Sequence, residues 1–221
     1  MEQPAPTRPA ARRWRRLLVT RAAAYWLLGL GIILCALALG VFFSMIRMPG
    51  QSYRGPLPPL TSGESALADE LRRDVVKLAE EIGPRHVWNP DRLALAAEFI
   101  ERSLQSAGYE VARQTFMAEG VECCNLEVQR RGGRSSGEIV IIGAHYDSVY
   151  EDGCPGANDN ASGVAATLAL ARRFADREPD RTVRFVLFAN EEPPFFQTDR
   201  MGPRVKLRAL RRLRIFSREG H

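Results

Sequence analysis

The sequence predicts an α/β domain, a central sheet flanked by helices, behind one apolar amino-terminal helix. Three observations carry that prediction. Ala22 to Ile46 is a run of twenty-five residues without a charge. Ile139 to Ala144 and Thr182 to Ala189 are short apolar runs of the kind found in strands buried on both faces. Before and between them, apolar residues recur at helical spacing.

Taken in order, residues 1–21 hold six Arg and one Glu and read as a basic cytoplasmic terminus. Residues 22–46 follow as a transmembrane helix, since about 1.5 Å of rise per residue carries such a run across roughly 30 Å of hydrocarbon. Tyr25 and Trp26 stand where interfacial aromatics are common. Only Arg47 and Arg54 follow closely, so the remainder is expected on the outer side, periplasmic in a bacterium. A cleaved signal peptide competes, on Ala36-Leu37-Ala38. However, the apolar run exceeds the roughly 7–15 residues of a signal core, so an uncleaved single-pass anchor is expected.

Residues 47–65, with four Pro and three Gly, form an extended linker. Ser65 is expected to cap a helix to Ile82 that carries Leu67, Leu71, Val75, Leu78 and Ile82 at helical spacing and stops at Gly83-Pro84. Asp91 opens a second helix, with Leu93, Ala96, Ala97, Ile100 and Leu104 on one face and Gly108 past its end. Tyr109–Phe116 and Val121–Gln129 read as strands. The buried strand at 139–144, a helix at 161–175 and the buried strand at 182–189 complete the domain, assigned to 66–202.

Charge excludes one function class. The chain carries +5, but both ends are basic and residues 22–199 sum to −7, without interleaved aromatics, so no nucleic-acid partner is expected. The oligomeric state is left open. Of the four Cys, Cys154 could pair with Cys123 or Cys124 after export, or all could remain buried thiols.

Three short segments carry the chemistry. They are His145-Tyr146-Asp147, Gly156-Ala157-Asn158-Asp159-Asn160-Ala161-Ser162-Gly163 and Asn190-Glu191-Glu192. An imidazole and carboxylates suit zinc, and each segment sits where an apolar run ends or a helix begins. If the two buried strands are parallel, His145 and the Glu pair share one sheet edge. Adjacent Glu residues point apart on an extended backbone, so one ligates and the other is free to take a proton. Asp147 is placed to accept the second imidazole N–H and fix the tautomer.

At these segments the chain resembles the zinc exopeptidases of metallopeptidase family twenty-eight, from about Leu71 to Gly202. The likeness includes Gly143-Ala144-His145-Tyr146-Asp147-Ser148, the long Gly156–Gly163 loop and Phe185-Val186-Leu187-Phe188-Ala189-Asn190-Glu191-Glu192. Leu78-Ala79-Glu80-Glu81-Ile82-Gly83-Pro84-Arg85 is a weaker lead-in. The resemblance implies a mixed sheet in a phosphorylase/hydrolase-like fold and a membrane-anchored metallo-aminopeptidase acting on peptides. It implies His145, Asp159 and Glu192 as metal ligands with Asp159 bridging, Asp147 as the orienting carboxylate, and Glu191 as general base to a zinc-bound water. Two Zn2+ ions are implied, yet ligands for only one are well represented.

Two further ligands are expected beyond Gly202, where residues 203–221 turn basic instead. His221 is not assigned. The favoured expectation is a longer enzyme cut short or shifted in frame near Gly202, with weak or no activity. A basic amphipathic helix on Leu207, Leu210 and Leu213, or completion by another chain, are the other readings. Outside peptidases, the alternatives are a glutaminyl-cyclase-like acyltransferase and a noncatalytic tethered binding domain.

Overall fold

The computed structural model describes residues 20–47, 50, 52–151 and 153–208. The chain divides into two units, residues 1–58 and 59–221. Most of the basic terminus and residues 209–221, with Leu210, Leu213 and His221, lie outside the described residues.

In the first unit, α1 (Arg21–Val41) continues through a π-helical turn, Phe42–Ile46. Thr20 caps it by accepting from Ala23 N–H at 3.3 Å. The 26-residue rod buries none of its apolar side chains, and its length and composition suffice to cross a membrane.

The second unit opens with α2 (Ser62–Val76), prolonged by a π-helical segment, Lys77–Ile82. Its cap is Thr61 rather than the expected Ser65. Thr61 Oγ1 accepts from Glu64 N–H, and the Glu64 carboxylate accepts from Thr61 N–H at 2.7 Å. That reciprocal pair is written in the sequence as Thr-x-x-Glu and outcompetes a lone serine inside the helix. The next helix, α3 (Pro90–Ser106), starts on a proline and buries Leu93, Ala96, Ala97, Ile100 and Leu104, the expected face.

Four strands follow: β1 (Ala112–Ala118), β2 (Val121–Arg130), β3 (Ser135–His145) and β4 (Arg181–Phe188), with α4 (Ser162–Phe174) between the last two. The first strand begins three residues later than expected because Tyr109 serves the helix layer instead, donating its hydroxyl to Ala171 O at 2.9 Å. The sheet order is β1-β2-β4-β3. The first two pairings are antiparallel and β3–β4 is parallel, so the sheet is mixed.

Leu126 and Val128 of β2, with Val183, Phe185 and Leu187 of β4, join side chains from α3, α4 and the π-helical extension of α2 in one core. Arg172 of α4 fastens the helix layer. It bonds Glu70 and Asp74 of α2 at 2.7 Å each and Ser103 of α3 at 2.5 Å.

The strand expected to be buried at 139–144 is not. Ile139, Val140 and Ile141 are exposed, and only Ala144 and His145 at its end are buried. β3 is an edge strand with β4 as its single neighbour, and the described elements leave these side chains uncovered. An apolar run records what a strand can bury, not what covers it. The domain also continues past Gly202. Residues 202–208 are helical, and Lys206 pairs with Glu127 of β2.

Candidate metal centre

The parallel register sets His145 opposite Phe188. Tyr146 N–H then donates to Phe188 O at 2.8 Å, so both chains leave the sheet at the same edge. This is the edge where ligands gather in sheets with parallel strands. Beyond β4, Asn190 takes a positive φ of 55°, which turns the chain sharply before the Glu pair. Asn125 holds the turn, accepting from Ala189 N–H at 3.2 Å and donating to Gly202 O at 2.9 Å.

The third segment is a π-helical turn, Ala157–Ala161, opened by Gly156 at φ 62°. A Cβ on Gly156 would lie 2.7 Å from Ser148 Cβ and 2.8 Å from Asp159 O, so no other residue fits there. Asp159 breaks the helical path at φ −116°, ψ 96°, and its side chain is 73% exposed. Asn160 Oδ1 accepts from Gly163 N–H at 3.0 Å, turning the chain into α4.

His145 Nε2 lies 2.9 Å from Asp159 Oδ1 and 3.8 Å from Glu191 Oε2. Ligand atoms of His145, Asp159 and Glu192 all fall within 4.8 Å of one another. Among the described residues, this is the group of His, Cys, Asp or Glu that converges closely enough to hold an ion.

Asp147 is nearly fully buried, with an oxygen 3.5 Å from His145 Nδ1. That is too long for a formed hydrogen bond, and Nδ1 is left without a partner. The Asp147 carboxylate instead accepts two backbone bonds, from Glu191 N–H and Glu192 N–H, at 3.1 Å each. One carboxylate thus faces the imidazole and fixes the backbone of both glutamates.

The electrostatics follow from crowding. Burial disfavours the charged imidazolium of His145, but Asp147, then Glu191 and Asp159, outweigh it and raise its pKa to about 9. Burial, with Asp147 and Asp159 nearby, raises both Glu191 and Glu192 against the opposing pull of His145. Negative charge therefore accumulates where a cation would sit.

Several contributors escaped sequence reading. Arg85, at the end of the Leu78–Arg85 lead-in, and Asn125, in a strand, carry no assignable role in the sequence alone. His86 packs edge-on against Tyr150, ring centres 5.0 Å apart, and burial lowers its pKa in spite of Asp147. Trp88 stacks on Phe195 at 5.7 Å. The four cysteines are free thiols, so the pairing of Cys154 with Cys123 or Cys124 does not form.

Residues 125–199 match the profile of Peptidase family M28. The chain is 36% identical over 187 residues to "Uncharacterized protein YfbL" of Escherichia coli, covering 82% of this chain and 57% of that protein. It is 42% identical over 71 residues to an "Aminopeptidase" of Pseudomonas aeruginosa, covering 32% of this chain and 13% of that one. The chain thus spans little more than half of the first relative and a small part of the second. Among solved structures it is similar to a zinc aminopeptidase from Bacillus subtilis. The TM-score is 0.51 and the identity 15%, over 56% of this chain and 61% of that one, a likeness of fold.

Proposed function

We propose that this chain, whose residues 125–199 belong to peptidase family M28, is the metal-binding part of a zinc-dependent aminopeptidase. The observation that carries the reading is the convergence of His145, Asp159 and Glu192 beyond the carboxyl ends of parallel β3 and β4. The donor set fits zinc: one imidazole nitrogen and two carboxylates, with exposed Asp159 leaving the site open on one side. Zinc bound there would polarise a peptide carbonyl and acidify a water molecule.

The chain's own residues do the rest. Glu191, partly shielded and beside His145, accepts the proton of the attacking water. As the C–N bond breaks, Glu191 returns that proton to the departing amine. Asp147 keeps the two Glu side chains in separate roles by anchoring consecutive N–H groups. The same three ligands define one ion site, so the described residues are proposed to hold one zinc. The apolar helix Arg21–Ile46 is proposed as an uncleaved anchor, with the basic terminus on the cytoplasmic side.

Zinc analysis of the purified chain in detergent should give about one ion, lost in His145→Ala. Chelator-sensitive release of amino-terminal residues from aminoacyl substrates, abolished in Glu191→Gln, would establish the reaction. Absence of zinc binding by the folded wild-type chain would overturn the site. Alkaline-carbonate extraction tests the anchor: release of the mature chain into the supernatant would overturn it.

A further inference from the structure

Arg85 is completely buried, and among the described residues no carboxylate bonds it. Its guanidinium is instead consumed by backbone carbonyls from three segments. Nε donates to Tyr146 O at 2.5 Å, and Nη2 to Gly156 O at 2.9 Å. Nη1 donates to Pro155 O at 2.7 Å, Leu78 O at 3.2 Å and Gly83 O at 3.3 Å. The main chain adds a reciprocal pair. Arg85 N–H donates to Ser148 Oγ at 3.0 Å, and Ser148 N–H to Arg85 O at 2.9 Å.

Two of those partners matter for the metal centre. Tyr146 lies between His145 and Asp147, and Gly156 stands three residues before Asp159. The chain between them runs outward and must return so that His145 and Asp159 meet. No regular structure pairs the two ends of this loop. The guanidinium spans them, one nitrogen on each.

Resting on the metal-site reading above, we propose that Arg85 is a positioning residue for the metal centre. Its guanidinium clamps Tyr146 O to Gly156 O and so sets the separation of His145 from Asp159. Lysine could not replace it, because a single ammonium cannot reach three segments from a fixed fork. Burial lowers the Arg85 pKa only to about 10, so the fork remains charged at neutral pH. The charge of Asp147 opposes that lowering.

The test uses the full chain in detergent, with Co2+ as a spectroscopic stand-in for zinc. Arg85→Ala and Arg85→Lys are compared with wild type and with His145→Ala for far-ultraviolet circular dichroism, Co2+ affinity and visible Co2+ bands. The expected result is native circular dichroism, affinity lower by about 10- to 100-fold and altered bands in both Arg85 variants. Low-millimolar guanidinium should restore the bands in Arg85→Ala but not in Arg85→Lys. Wild-type affinity and bands in either folded variant would overturn the clamp while leaving the metal site standing. If wild type binds no Co2+ or zinc, the metal reading itself fails and the clamp falls with it. Should Arg85→Ala not fold, Arg85→Lys decides on the same readouts. Failure of both to fold would make Arg85 a folding residue and overturn the positioning role.

Discussion

The two parallel strands β3 and β4 look alike in sequence and live differently in the fold. Ile139–Ala144 and Thr182–Ala189 are both short runs dominated by apolar residues. In β4, Val183, Phe185, Val186 and Leu187 are buried, with neighbours on both edges. In β3, the Ile139–Ile141 stretch is exposed, and burial begins only at Ala144 and His145. The strand is thus loosely covered along its length and firmly held at the tip that carries His145. Apolar content tells what a strand could bury; what packs on its faces decides whether it does.

The largest expected effect lies in that contrast. Phe185→Ala, at 0% exposure, should cost about 3–5 kcal/mol in urea unfolding. Ile141→Ala, at 46% exposure, should cost under about 1 kcal/mol. Equal losses at the two positions would mean that β3 is covered in solution by something absent from the described fold.

The tip of β3 gives the next effect. Asp147→Asn leaves one acceptor oxygen where two now hold Glu191 N–H and Glu192 N–H. Metal affinity should fall about 10- to 100-fold, measured by competition with a chromophoric chelator. Stability should change far less than for Phe185→Ala. An affinity unchanged from wild type would show that the glutamate backbone is held without Asp147.

These contrasts explain what the sequence made legible. The apolar face of α3 is readable because its periodicity is local. The three segments carrying His145, Asp159 and the Glu pair stand out in the sequence as well, because each is short and sits where an element ends or a helix begins. The parallel pairing that unites them required only a strand, a helix and a second strand in order. Long-range dependences were not legible. Ser65 suits a cap, but the Thr61–Glu64 pair takes that place, and the apolar content of β3 does not show that its faces lie uncovered. Arg85 was hidden because its partners are carbonyls, which every residue has. Their positions depend on chain 61 to 71 residues away for Tyr146, Pro155 and Gly156.

A smaller effect concerns association through the same strand. An exposed, apolar edge is a template for pairing with another chain. Ile141→Lys should therefore reduce concentration-dependent self-association in sedimentation runs while leaving the unfolding midpoint nearly unchanged. Self-association that persists undiminished would assign it to the apolar helix or another surface.

The smallest effect compares thiols on the firmly held side with one on the loop. Burial pushes the Cys123 thiol up to about 11, against the opposing Asn190 amide bond, which donates to its sulfur at 3.3 Å. Three pH units below that value, roughly one Cys123 thiol in a thousand is ionised, and only the thiolate reacts. Cys154, in the loop that Arg85 closes, is partly exposed. Alkylation at pH 8 should therefore label Cys154 well before Cys123, as read by mass spectrometry of timed digests. Cys123 labelling should accelerate as pH rises toward 11, because deprotonation limits it. Fast labelling of Cys123 at pH 8 would mean that the turn after β4 opens readily. The firm end of the sheet would then be no firmer than its exposed edge.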